Sequence, residues 1–150
     1  MAGVDLQTEN VAKLIQLALG PVFLLSAVGI TLSMLTQRLA RIVDRARTLE
    51  DQRERTTDAE RLKHIDKDLR AIWKRTRYIN AAIALSTVSA FTTTIVVTLL
   101  FASEFTRLAV GGVIAGMFIA SMLSLSFSFI MFLIEVRIAT RTLRIGTHRH

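Results

Sequence analysis

One carboxylate stands where a long uncharged run ends. Glu135 follows FSFIMFLI and precedes Arg137 by two residues. An acid at membrane depth can coordinate a cation, relay a proton or answer a base. At a membrane boundary the plainest of these is a salt bridge, to Arg137, Arg38 or Arg77. An ion-coordinating or proton-linked role is the sharper alternative. Hydroxyls form the second candidate set. Ser86, Ser89 and Thr93 step by 3 and 4 through ALSTVSAFTTTIVVT, and Ser121, Ser124 and Ser128 repeat that spacing. Such steps line hydroxyls along one helix face. Gly112-x-x-x-Gly116 precedes the second row. Small residues so spaced let helix backbones approach, and hydroxyls then bond from helix to helix. Packing is therefore the plainer use of Thr93, Ser121, Ser124 and Ser128. A hydroxyl-lined water or ion path formed on oligomerisation is the sharper one. Gln16 suits either. Pro21, after Gly20, removes a helical hydrogen bond and frees a carbonyl one turn back. It reads first as a structural bend, and second as a gating hinge or an ion-facing carbonyl.

Other chemistries lack their residues. The chain has no Cys, which excludes disulfides, thiolate nucleophiles and thiolate metal sites. His64, His148 and His150 have no second ligand at metal spacing, so neither a metal nor any other cofactor is assigned. No phosphate loop, nucleophile elbow or pair of carboxylates falls within an uncharged run. An intramembrane protease or transferase would need such groups near membrane depth. The expectation is a non-enzymatic protein.

The elements that must carry these residues are three uncharged runs. Leu14 to Thr36 and Ala81 to Ser103 are 23 residues each, and Leu108 to Ile134 is 27. A helix needs about 20 apolar residues to cross a hydrocarbon core of about 30 Å. All three suffice, the third with tilt. The chain is 51% hydrophobic yet carries a formal charge of +7, with the two properties segregated into blocks. One Pro and seven Gly in 150 residues favour long uninterrupted helices. The leading MAGVDLQTENVAK lacks the basic start of a secretory signal, so the first run reads as retained. The expected fold is all-α, a single integral membrane domain over residues 1–150. Its spans cover about 14–36, 81–103 and 108–134.

Basic residues give the orientation. Thirteen Lys and Arg lie between Gln37 and Asn80, and Arg137, Arg141, Arg144 and Arg149 follow the third run. Only Lys13 and Arg107 remain for the other side. Under the positive-inside rule, segment 37–80 and a basic tail over 135–150 are cytoplasmic and the N-terminus is outside. Glu104 to Arg107 then form a tight outer turn. Arg38, Arg41, Asp44, Arg45, Glu135 and Arg137 are the charges at the cytoplasmic boundary.

Segment 37–80 is itself patterned. Leu39, Ile42, Ala46 and Leu49 step by 3, 4 and 3, and Leu62, Ile65, Leu69 and Ile72 repeat it. Each is a narrow seam of coiled-coil type. Thr57-Asp58-Ala59-Glu60 has the form of a capping box, with Thr57 at the cap. An antiparallel helical hairpin projecting about 25–30 Å follows from the rise per residue. Eight acids accompany the thirteen bases, many three or four residues away, which describes a solvated, salt-bridged helix surface. A dedicated phosphate-binding face for nucleic acid would carry far fewer acids. The bases nearest the membrane suit anionic lipid headgroups instead.

The run VAKLIQLALGPVFLLSAVGITLSMLTQRLARIVDRARTLE resembles a family of small bacterial integral membrane proteins known only as a domain of unknown function. The likeness extends from Val11 to about Arg144. It is carried by Pro21-x-Phe-Leu-Leu, by Arg38-x-x-Arg41-Ile-Val-Asp44-Arg45-x-Arg47 and by the closing IEVRIATRTL. It implies an inner-membrane protein with the same three spans and intervening cytoplasmic segment, and it brings no activity or catalytic residues. Two functional readings follow. In the first, a homo-oligomer conducts a small ion past Thr93, Ser121, Ser124 and Ser128, with Glu135 at the cytoplasmic mouth. In the second, a membrane scaffold or regulator docks an unidentified cytoplasmic protein on its charged hairpin, around Arg53, Arg55 and Arg61.

Overall fold

A computed structural model describes residues 2–106 and 110–143, with side chains over 11–103 and 110–139. The described residues form three α-helices and no strand: α1 (Ala2–Arg55), α2 (Ala59–Thr106) and α3 (Gly111–Leu143). Each contains a stretch long and apolar enough to cross a membrane. With almost no Gly or Pro to interrupt them, all three helices outrun their uncharged runs. α1 continues through Pro21 without a break in its helical assignment. α3 continues past Glu135 to Leu143, so the first part of the expected tail is helix. Glu104 to Thr106 of the expected outer turn belong to α2, which stays helical through Thr106. Arg107, Leu108 and the tail bases Arg144 and Arg149 lie outside the described residues.

The chain divides into two compact units, each built from parts of all three helices. One comprises Met1–Thr31 and Leu85–Ser126, and the other Leu32–Ala84 and Phe127–His150. In the second unit an apolar cluster joins Ile42 and Leu49 of α1 to Ile65, Leu69, Ile72 and Ile79 of α2. Leu39, Ala46 and Ile83 pack against it. All the seam residues but Leu62 are here, joined by Ile79 and Ile83, and the seam spacing keeps them on one narrow face of each helix. An ion pair of 2.9 Å between Arg53 and Asp66 adds a polar contact between the same two helices. Both side chains are about half exposed, so the pair contributes little beyond alignment.

The connection between α1 and α2 is three residues, 56–58. Asp58, not Thr57, caps α2. Its Oδ1 accepts the N–H of Glu60 at 3.1 Å, and its carbonyl accepts the first helical N–H, from Leu62, at 3.0 Å. Glu60 turns along the helix toward Lys63 at 3.6 Å. The capping box therefore gives way to a single Asp cap, shifted by one residue. Both residue types are good caps, and the competition between adjacent Thr and Asp is close in energy.

In the first unit the buried positions are Ala18, Val28 and Thr31 of α1, Ser86, Ser89, Thr93 and Val96 of α2, and Ser121 and Leu125 of α3, together with Pro21. The spacing is still 3 and 4, but the chemistry on α2 has changed from Ile and Leu to Ser and Thr. In water, an Ile gains by facing another helix. In a hydrocarbon solvent it gains little, because lipid is equally apolar, and small or hydroxylated residues take over the contact. The large apolar side chains here point outward instead. Phe23, Ile30, Phe91 and Ile119 are all more than half exposed.

Candidate functional site

The hydroxyls of α2 and α3 meet within the first unit. Ser121 donates to the carbonyl of Ser89 at 2.9 Å, and its Oγ lies 3.0 Å from Ser89 Oγ and 2.5 Å from Thr93 Oγ1. Thr93 also donates back to the Ser89 carbonyl, one turn earlier, at 2.8 Å. Ser124 donates to the carbonyl of Leu85 at 2.8 Å. Ser86, Ser89, Thr93 and Ser121 are almost wholly shielded. In the second unit the row continues with Ser128, which donates to the Ala82 carbonyl at 2.7 Å. Four of the predicted hydroxyls thus bond to helix α2 or to its own residues. Each adds a second bond to a carbonyl that already serves the helix, which helices tolerate well. Their use is helix joining.

Gln16 is exposed, and Pro21 is buried beside Leu14, Leu17, Val96, Leu100 and Phe118 around an open groove of about 350 Å³. The Gly pair stands apart from these contacts. Gly112 and Gly116 are exposed, and a Cβ built on either meets nothing within 4 Å. Among the described residues nothing packs closely against Gly112-x-x-x-Gly116.

The second unit holds the charged site. Glu135 of α3 is fully buried. Arg75 of α2 donates to its Oε1 through Nε at 3.0 Å and through Nη2 at 2.8 Å. Arg38 of α1 places Nη2 3.2 Å from Oε2. That contact is close enough for charge attraction but is not aligned as a hydrogen bond, and Oε2 has no other donor. Arg38 also lies over the ring of Phe132, 5.0 Å from its centroid. A guanidinium so placed gains from the ring quadrupole as well as from the carboxylate. One acid from α3 is thereby shared between one base from each of the other helices. A buried charge of this kind persists only when paired.

Of the bases expected to meet Glu135, Arg38 does so. Arg77 is exposed and lines a different depression with Lys74, Tyr78, Ala81 and Met131. Arg137 is exposed too. The strongest partner, Arg75, was not anticipated. Its signal was present: the seam Ile65, Leu69, Ile72 extends to Ile79. Residue 75 therefore flanks the buried face, and residue 77 is turned away from it. Arg41, Asp44 and Arg45 are exposed along α1. Arg38, Arg41, Arg45 and Arg75, with Ile42 and Ile72, line a half-open pocket of about 270 Å³. Among the described residues no cluster of three His, Asp or Glu side chains is placed to hold a metal ion.

Long helices with outward-facing apolar residues, hydroxyl-joined contacts and one shared buried acid define a class of all-helical protein with three membrane-compatible helices. The chain belongs to the DUF2721 family, described as a protein of unknown function, which it matches over residues 18–145. That match includes every element of the charged site. Neither the curated proteins nor the solved structures contain a match.

Proposed function

We propose that this protein is a non-enzymatic scaffold or regulator of the bacterial inner membrane, which presents segment 37–80 to the cytoplasm as an antiparallel helical hairpin. The N-terminus is outside and the C-terminus inside, a placement that the distribution of Lys and Arg supports. The hairpin docks a cytoplasmic protein. The observation that carries this reading is Trp73, 58% exposed on a surface otherwise rich in charge. It borders a shallow depression with Val43, Ala46 and Thr76, edged by Arg47 and Glu50. Exposed Trp with a polar rim is the composition of an interface anchor. Co-purification from membranes tests it. Trp73→Ala, or charge reversal at Arg53, Arg55 and Arg61, should release a partner that the unaltered chain retains. A partner retained by all these variants would end the reading. The orientation has its own test, since the chain has no Cys. A cysteine introduced at Thr57 should resist impermeant maleimide on intact cells, and one at Gln7 should react.

A second reading, homo-oligomerisation, is favoured by the open space at Gly112 and Gly116. A face of small residues that no described residue covers suits a second copy of the same helix. Gly112→Leu with Gly116→Leu should then convert the detergent-extracted oligomer to monomer. A pore lined by Thr93, Ser121, Ser124 and Ser128 draws no support from their geometry, because those hydroxyls are taken up in joining α2 to α3.

A further inference from the structure

Four arginines line the pocket above Glu135, and one carboxylate answers two of them. Arg38 and Arg75 are engaged by Glu135. Arg41 and Arg45 have no ion-pair or hydrogen-bond partner among the described residues. Both project from one face of α1, four residues apart, and Asp44 between them is not part of the lining. The floor, Ile42 and Ile72, belongs to the apolar cluster, so the pocket has a rigid base. The result is a cavity of about 270 Å³ with an excess of guanidinium groups and no free acid on its wall. Guanidinium forks match the oxygens of a phosphate group in geometry and charge. The pocket also lies close to where the uncharged runs end, at Thr36, Asn80 and Ile134 in sequence. That is the level at which phospholipid headgroups sit.

We propose that this pocket binds the phosphate of an anionic phospholipid headgroup, with Arg41 and Arg45 as its direct ligands. Arg38 and Arg75 contribute field, and Glu135 holds them in place. The binding rests on the membrane orientation argued above and is independent of any protein partner, whose docking residues lie elsewhere on the hairpin.

Full-length protein in neutral detergent, given phosphatidylglycerol or phosphatidylcholine, provides the test. Phosphatidylglycerol should raise the unfolding temperature, and phosphatidylcholine should not. Arg41→Gln with Arg45→Gln should weaken phosphatidylglycerol binding about thirtyfold while leaving the melting temperature in phosphatidylcholine unchanged. Lys74→Gln with Arg77→Gln removes the same charge at exposed positions outside the pocket, where solvent screens it, and should cost no more than about twofold. Equal losses in the two double variants would mean a diffuse belt of charge and would overturn the site. So would the absence of any preference for phosphatidylglycerol. Inorganic phosphate is the third arm. If it stabilises the unaltered protein through Arg41 and Arg45 while phosphatidylglycerol does not, the pocket takes a soluble anion and the lipid assignment is wrong.

Discussion

Arg75 directs both its Nε and its Nη2 to a single oxygen of Glu135, at 3.0 and 2.8 Å. The other oxygen is left to Arg38, whose nearest nitrogen is 3.2 Å away and poorly aligned. The two bases are therefore unequal partners, and their removal should have unequal effects.

Arg75→Ala leaves a fully buried carboxylate with one misaligned counter-charge, and should cost about 3–5 kcal/mol. Glu135→Ala should cost less, about 1–3 kcal/mol, because both arginines are roughly a quarter exposed and can turn toward water. Unfolding of the purified protein in mixed micelles would rank them. Equal stability of the two variants would show that the acid is not held as described.

The hydroxyl contacts predict small, local losses. Ser121→Ala removes a bond to the Ser89 carbonyl and should cost about 0.6 kcal/mol, with about 1.7 as the upper bound seen for such bonds in membranes. Ser128→Leu must fit a large side chain where the shielding is complete, and overpacking should cost about 1–3 kcal/mol or more. The same unfolding assay reads both. A harmless Ser128→Leu would contradict the close packing of α3 on α2.

At the start of α2, Asp58→Ala should cost about 1 kcal/mol and Thr57→Ala should fall within about 0.5 kcal/mol of neutral. Helicity and melting of the full chain distinguish the two. A larger loss at Thr57 would restore the capping box that the sequence suggests.

Adjacent residues on the hairpin make the sharpest contrast. Ile72 is buried in the apolar cluster, whereas Trp73 is exposed. Ile72→Ala should destabilise by about 2–4 kcal/mol. Trp73→Ala should leave stability nearly unchanged in the same unfolding assay.

Much of this architecture was legible in the residues. The seams Ile42–Leu49 and Ile65–Ile72 recur as the apolar cluster because hydrophobic periodicity is a property of each helix alone. The uncharged runs likewise marked the three membrane-compatible helices. Pairings between helices were less legible. Glu135 selects Arg75 over Arg77 because of how α2 is rotated, which a list of nearby bases does not reveal. Gly112 and Gly116 carry the sequence of a close contact, but the motif does not say whether the contact lies within the chain or beyond it. Asp58 displaced Thr57 because two adjacent capping residues differ by less than a spacing rule can resolve.

The shared acid also imposes an order on biogenesis. Arg38 and Arg75 both precede Glu135 in the chain and leave the ribosome before it. Until the third helix arrives, the two guanidiniums have only each other, water or lipid phosphate to face. The last helix brings the carboxylate, and the two bases give its buried charge partners. Completion of the fold is thus marked by a single ion meeting its partners, and a chain without Glu135 would leave Arg38 and Arg75 lacking the acid they share.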